Sequence, residues 1–128
     1  MPKKPSPKTL KNKADKLWSF IIRSEGFCRR CGRQPGEITL QAAHIISRSY
    51  TATRWDLRNG LPLCLGCHHF AHNKPLEFED FVLVQIGATV YAELRELALG
   101  YTGRISRVDY EELVSDLQAR WNEIEEAA

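Results

Sequence analysis

Two Cys-x-x-Cys pairs, Cys28/Cys31 and Cys64/Cys67, constrain what this chain can fold into more than any other feature. All four cysteines and all four histidines of the 128-residue sequence fall between Cys28 and His72. Four thiolates offer a divalent metal a soft tetrahedral site, and two Cys-x-x-Cys turns are the usual way to present it. Closing the loop from Cys31 to Cys64 costs only a few kcal/mol, because that entropy grows with the logarithm of loop length. A structural zinc contributes roughly 10–16 kcal/mol, so one zinc held by Cys28, Cys31, Cys64 and Cys67 is expected. Two disulfides or a thiol redox centre are the competing readings. The opening Met1-Pro2-Lys3-Lys4-Pro5 runs into lysines rather than an apolar stretch, so no signal peptide is expected. A reducing compartment favours metal over disulfide.

The remainder of the chain suits one domain. With 43% hydrophobic residues it can bury roughly two-thirds of its unfolded surface. No run of 18 apolar residues occurs, so no membrane span is expected. The net charge of +2 hides an asymmetry: lysine and arginine dominate up to Gln34, whereas acids dominate from Pro75 onward. Residues 1–8, with prolines and lysines alternating, read as a flexible basic arm. A single domain over residues 9–128 follows, with a core at 28–74 and C-terminal helices at 75–128. Thr9 is the expected N-cap of a first helix whose stripe is Leu10, Ala14, Leu17, Trp18, Ile21 and Ile22. Lys11, Lys13 and Lys16 lie off that stripe. A basic arm and basic helix suit a polyanion, since each neutralised phosphate releases counterions; a merely solvated face is the plainer alternative.

Ile38 to Ile46 reads as a strand, followed by a loop through Tyr50 to Arg54-Trp55. A short second strand spans Asn59 to Leu63, with Pro62 confining it to an edge. Leu65 to His72 is expected to be a helix ended by Lys74-Pro75. Two amphipathic helical segments follow, stopped near Gly87 and Gly100. Ser106 and Asp109 form a capping box for a final helix with the stripe Tyr110, Leu113, Val114, Leu117, Trp121 and Ile124. These helices are expected to pack around the hairpin and zinc.

Within the Cys-bounded loop, His44 in Gln41-Ala42-Ala43-His44-Ile45-Ile46, Asn59, and His68 directly after Cys67 resemble the His-Asn-His signature of the HNH endonucleases. The resemblance covers about a third of the chain. It implies an α+β fold, with a ββα-metal hairpin and helix, a four-cysteine zinc brace and surrounding helices. It implies hydrolysis of DNA phosphodiester bonds, leaving 5′-phosphate and 3′-hydroxyl ends. The nearest likeness is to small phage-type members, including those linked to recombination, which points to the cytoplasm of a bacterial or phage-infected cell and to phage or recombination proteins as partners.

By that resemblance, His44 is the general base, matching the one side chain whose unperturbed pKa lies near neutrality. Asn59 orients His44 and fixes the loop. His68 holds a catalytic divalent cation (magnesium, manganese, nickel or zinc). Many family members carry an Asp or His ligand where this chain has Ala43. His72, one helical turn after His68 and on the same helix face, is the candidate replacement. Arg48, Arg54 and Arg58 are candidate phosphate clamps, because guanidinium forks match phosphate geometry, and Lys11, Lys13 and Lys16 are candidate DNA contacts. The rival from another class is a catalytically silent zinc-braced DNA-binding or phage adaptor protein, favoured by Ala43. A zinc-stapled helical interaction domain is a third reading.

Overall fold

Ser6 and Pro7 start the first helix. In the computed structural model, which describes residues 3–101 and 103–128, helix α1 runs Pro7–Arg23 with Ser6 as its N-cap. The Ser6 hydroxyl accepts the Thr9 N–H at 3.1 Å. Pro7 suits the first turn because its missing N–H would have no partner there. The helix therefore begins ahead of Thr9, and Pro7 and Lys8 of the expected arm are helical; Met1 and Pro2 lie outside the described residues. The expected stripe of Leu10, Ala14, Leu17, Trp18, Ile21 and Ile22 is buried as a set.

Strands β1 (Leu40–His44) and β2 (Gly60–Cys64) pair antiparallel as a two-stranded sheet, with His44 opposite Gly60 and Leu40 opposite Cys64. The first is trimmed from the expected Ile38–Ile46, and the second is moved one residue along from the expected Asn59–Leu63 without change of length. Ile38 is taken into an isolated bridge with Pro35 instead. Helix α2 (Leu65–Asn73) follows β2 without a break. Pro75 is at the start of α3 (Pro75–Ile86), and Gly87, at φ 83°, separates α3 from α4 (Ala88–Gly100). The Ser106–Asp109 capping box is present in both directions and starts α5 (Arg107–Ala127).

Two cores form, one on each side of the hairpin. Alternation along the strands sends Gln41 and Ala43 to one face and Ala42 and His44 to the other. On the first side, Ala43, Leu61 and Leu63 pack with the cysteines and with Phe78 and Val82 of α3. On the second, the α1 stripe packs with Trp55 and with Tyr110, Val114 and Leu117 of α5, and Ala42 abuts this cluster. The final helix thus packs on α1 rather than around the zinc site. Its apolar stripe is long enough to cover the α1 surface that the short hairpin leaves bare. No helix among the described residues is long and apolar enough to cross a membrane.

Gly60 is where the second core presses closest on the hairpin. A Cβ there would lie 2.5 Å from Trp18 Cζ2 and 2.8 Å from Ile22 Cδ1. The contact is a ring and a branched side chain in a packed core, so it cannot yield freely. Gly60→Ala is expected to cost about 1–3 kcal/mol, the usual penalty for overpacking. Urea denaturation of both proteins checks this, and an unchanged midpoint would show that Trp18 is not locked in place.

Candidate active site

The four cysteines converge at the junction of β2 and α2. Their sulfurs lie within 4.8 Å of one another, and none is in a disulfide. Cys31 Sγ and Cys64 Sγ are 3.8 Å apart. Zn–S bonds of about 2.3 Å in a tetrahedron place sulfurs about 3.8 Å apart, against about 2.05 Å in a disulfide. The first pair sits in a tight turn, in which Gly32 N–H donates to the Cys28 carbonyl and Cys28 N–H to that of Arg33, both at 2.8 Å. Cys64 is the N-cap of α2, its sulfur accepting the Cys67 N–H. Burial pushes the Cys28 thiol up, but backbone N–H groups of Cys31, Cys64 and Arg30 outweigh it and bring it down to about 6. Burial and the neighbouring Cys64 and Cys28 sulfurs push Cys67 up to about 12. Four sulfurs this close cannot all ionise unless a cation lies between them. The four cysteines are arranged to hold a metal ion, consistent with structural zinc. A metal here ties the first turn to the start of α2, the helix that bears His68 and His72.

His44 ends β1 with its ring stacked on Trp18, centroids 4.0 Å apart and planes 10° from parallel. Its Nε2–H donates to the Arg54 carbonyl at 2.9 Å. In the neutral ring this leaves Nδ1 as the proton acceptor, and Nδ1 has no hydrogen-bond partner among the described residues. Burial lowers the His44 pKa first; the Arg54 carbonyl and Asp15 oppose the shift, while the charges of Arg48 and Arg54 reinforce it.

Asn59 is fully buried. Its Oδ1 accepts the Ile46 N–H at 2.7 Å, and its Nδ2 donates to the carbonyls of Ile46 and Thr53 at 3.1 and 2.9 Å. These bonds close the loop between the strands and so hold Arg54 one residue beyond Thr53. Asn59 reaches His44 through the backbone, not by touching its ring.

Arg54 is buried, and its fork grips Asp15 of α1 through Nε at 3.0 Å and Nη2 at 2.6 Å. Trp55 Nε1 donates to the same carboxylate at 2.8 Å. The Arg54 side chain is therefore spent on positioning the loop whose carbonyl holds His44. Arg58 is likewise engaged, by Asp56 at 2.9 Å and Glu93 at 3.0 Å. Arg48 is the freest of the three, 66% exposed with Asp15 3.9 Å away. Of the three lysines, Lys11 shares a cleft with Arg48. Lys13 lines the groove between α1 and α5, and Lys16 lies over Phe20.

A cavity of about 400 Å³ brings His44, Arg48, His68 and His72 together. The His68 and His72 rings are 4.8 Å apart. His68 Nδ1–H donates to Gln41 Oε1 at 2.5 Å, which in the neutral ring leaves Nε2 as the acceptor. Burial, then the nearby His72 and His69, lower the His68 pKa and keep the ring neutral. Glu79 of α3 lines the same cavity, placed there because Phe78 and Val82 on either side of it are buried against the hairpin. Ala43, in contrast, is 1% exposed in that apolar cluster, so β1 supplies no carboxylate. Among the described residues, the cysteines are the one group of three or more ligating side chains already drawn together.

Sequence reasoning passed over Gln41, Asp15 and Glu79 as site residues. Gln41 carried a signal, being the one polar side chain of β1 besides His44 and on the same face as Ala43. Asp15 and Glu79 carried none, since their partners lie far along the chain.

A short hairpin leading directly into a helix, with a histidine on each and a cysteine cluster at their junction, defines the ββα-metal class, here in a mixed α+β arrangement with two strands and five helices among the described residues. Residues 28–74 match the family model described as HNH endonuclease; over that stretch, well under half of the chain, the sequence is similar to the HNH family. No curated protein and no solved structure matches the chain.

Proposed function

We propose that this protein is a metal-dependent endonuclease that hydrolyses DNA phosphodiester bonds, with His44 as general base. The observation that carries the reading is His44 itself. One ring nitrogen is committed to the Arg54 carbonyl and the other is bare, at a cavity shared with two more histidines. A depressed pKa keeps that base unprotonated at neutral pH, and stacking on Trp18 holds its plane. Nδ1 takes the proton of an attacking water as the new P–O bond forms and the P–O3′ bond breaks, and the departing O3′ takes a proton from solvent water, leaving 5′-phosphate and 3′-hydroxyl ends.

His68 Nε2 and His72 are the nitrogen donors for a divalent ion, and Glu79, the carboxylate that lines the same cavity, takes the place of the one missing at Ala43. A carboxylate on the wall of a phosphate-binding cavity is repulsive unless a cation lies between the two. When bound, the ion polarises the phosphate and stabilises charge on the leaving oxygen. Gln41 keeps the His68 ring turned so that Nε2 remains available. Arg48, exposed at the same cavity, is the phosphate clamp.

Incubating the protein with supercoiled plasmid and magnesium, manganese, nickel or zinc tests the reading. Wild type is expected to nick, and His68→Ala to need a higher divalent concentration for the same rate. Absence of cleavage with every metal would replace the enzyme by the silent, zinc-braced DNA-binding alternative.

A further inference from the structure

Beside the histidine cavity lies a second concavity of about 690 Å³, walled by the start of α1, the loop after β1 and the segment before α5. Among the described residues five basic side chains line it, Lys8, Lys11, Arg48, Arg54 and Arg104, and no carboxylate does. Arg54 is neutralised by Asp15. Among the described residues Lys8, Lys11 and Arg104 are in no ion pair, and Arg48 has only the distant Asp15. Elsewhere Arg29 is matched by Glu25, Arg58 by Asp56 and Glu93, and Arg120 by Glu123, whereas Arg30, Arg33, Arg95 and Arg107 are exposed without an ion pair among the described residues but do not line this cleft. Unpaired cations gathered in one cleft repel each other, and such clefts focus potential onto an anion.

Arg48 lines both concavities, so the two adjoin at that side chain. We propose that this cleft is a second phosphate-binding subsite, in which Lys8, Lys11 and Arg104 grip a backbone phosphate of the DNA strand away from the one being cut, with Arg48 between them. The proposal rests on the nuclease reading for its substrate. It goes beyond that reading because Lys8, Lys11 and Arg104 lie outside the 28–74 family stretch. The side chains offered are point charges and a guanidinium fork, with Asn12 and Thr51 as polar neighbours. Such a set positions a duplex by its backbone and reads no bases.

The test is binding of a short DNA duplex to the full chain without added divalent ion, so that cleavage plays no part, across a series of salt concentrations. Arg104→Gln and Lys11→Gln are compared with Arg120→Gln, which removes the same charge from an exposed site on α5. The slope of log K against log salt is expected to fall by about 0.9 for each phosphate that is no longer neutralised in the first two variants and to stay unchanged in the third. The drop in affinity should be the same for unrelated sequences. Wild-type slopes in all variants, or equal drops in all three, would overturn the subsite, the latter by showing that only net charge matters. Failure of the nuclease reading is separate: wild type would then bind DNA with this slope pattern and cut nothing.

Discussion

Cys28→Ser is expected to leave a chain that does not fold, rather than a slower version of the same protein. A structural zinc contributes roughly 10–16 kcal/mol, which equals or exceeds the whole stability of about 5–15 kcal/mol of an ordinary domain. Here the damage reaches far, because Cys28 is fully buried beside Ala43, Leu61, Leu63 and Val82. The cluster also anchors the first turn of α2 through Cys64, so His68 and His72 lose their place with it. Chelation of the wild type should act in the same way. The measurements are metal content, expected at one zinc per chain, and the thermal transition by circular dichroism before and after chelation. A chelated protein that melts as before, or cysteines found paired in disulfides, would refute the zinc brace.

Local periodicity and local chemistry were legible in the residues. The α1 stripe is spaced for one helix face, and all six of its members are buried. Ser106 and Asp109 satisfy each other three residues apart, and both halves of the capping box form. The four thiols needed only their spacing to be read as one site. What stayed hidden depends on contacts between distant parts of the chain. Arg54 looks like any loop arginine until α1 brings Asp15 to it; its value to the site then lies in its carbonyl rather than its charge. Glu79 is one acid among many in the C-terminal half, and only the burial of Phe78 and Val82 turns it toward the histidines. Arg104 does not stand out because nothing in its neighbourhood along the chain is basic except Arg107. Helix α5 was expected near the zinc because amphipathic stripes state that a face is buried but not against what. The α1 capping residue was missed because Thr9 and Ser6 are both good caps, and Pro7 decides between them.

His44→Ala is expected to lower the rate of plasmid nicking by on the order of 10²–10⁴, the usual contribution of general-base catalysis. Binding of DNA should persist, since the cations assigned to the phosphates are elsewhere. The pH dependence separates a base from a packing residue. Burial holds the His44 pKa below its ordinary value, which is about 6.5 for a free imidazole. The active form is the neutral one, so kcat/KM in the wild type should stay level as pH falls to about 6.5 and drop only at lower pH, through the depressed value. In the alanine variant this acid limb should vanish from the residual rate. The same shift has a stability counterpart of definite sign. Between the folded and unfolded pKa values the unfolded chain binds the extra proton, so stability rises with pH there. The His44 contribution is fully present above about 6.5 and is lost as pH falls through the folded value. His44→Ala should therefore remove part of the protein's acid sensitivity in urea titrations at paired pH values. An alanine variant that nicks at the wild-type rate, or that keeps the acid limb unchanged, would remove His44 from the role of base.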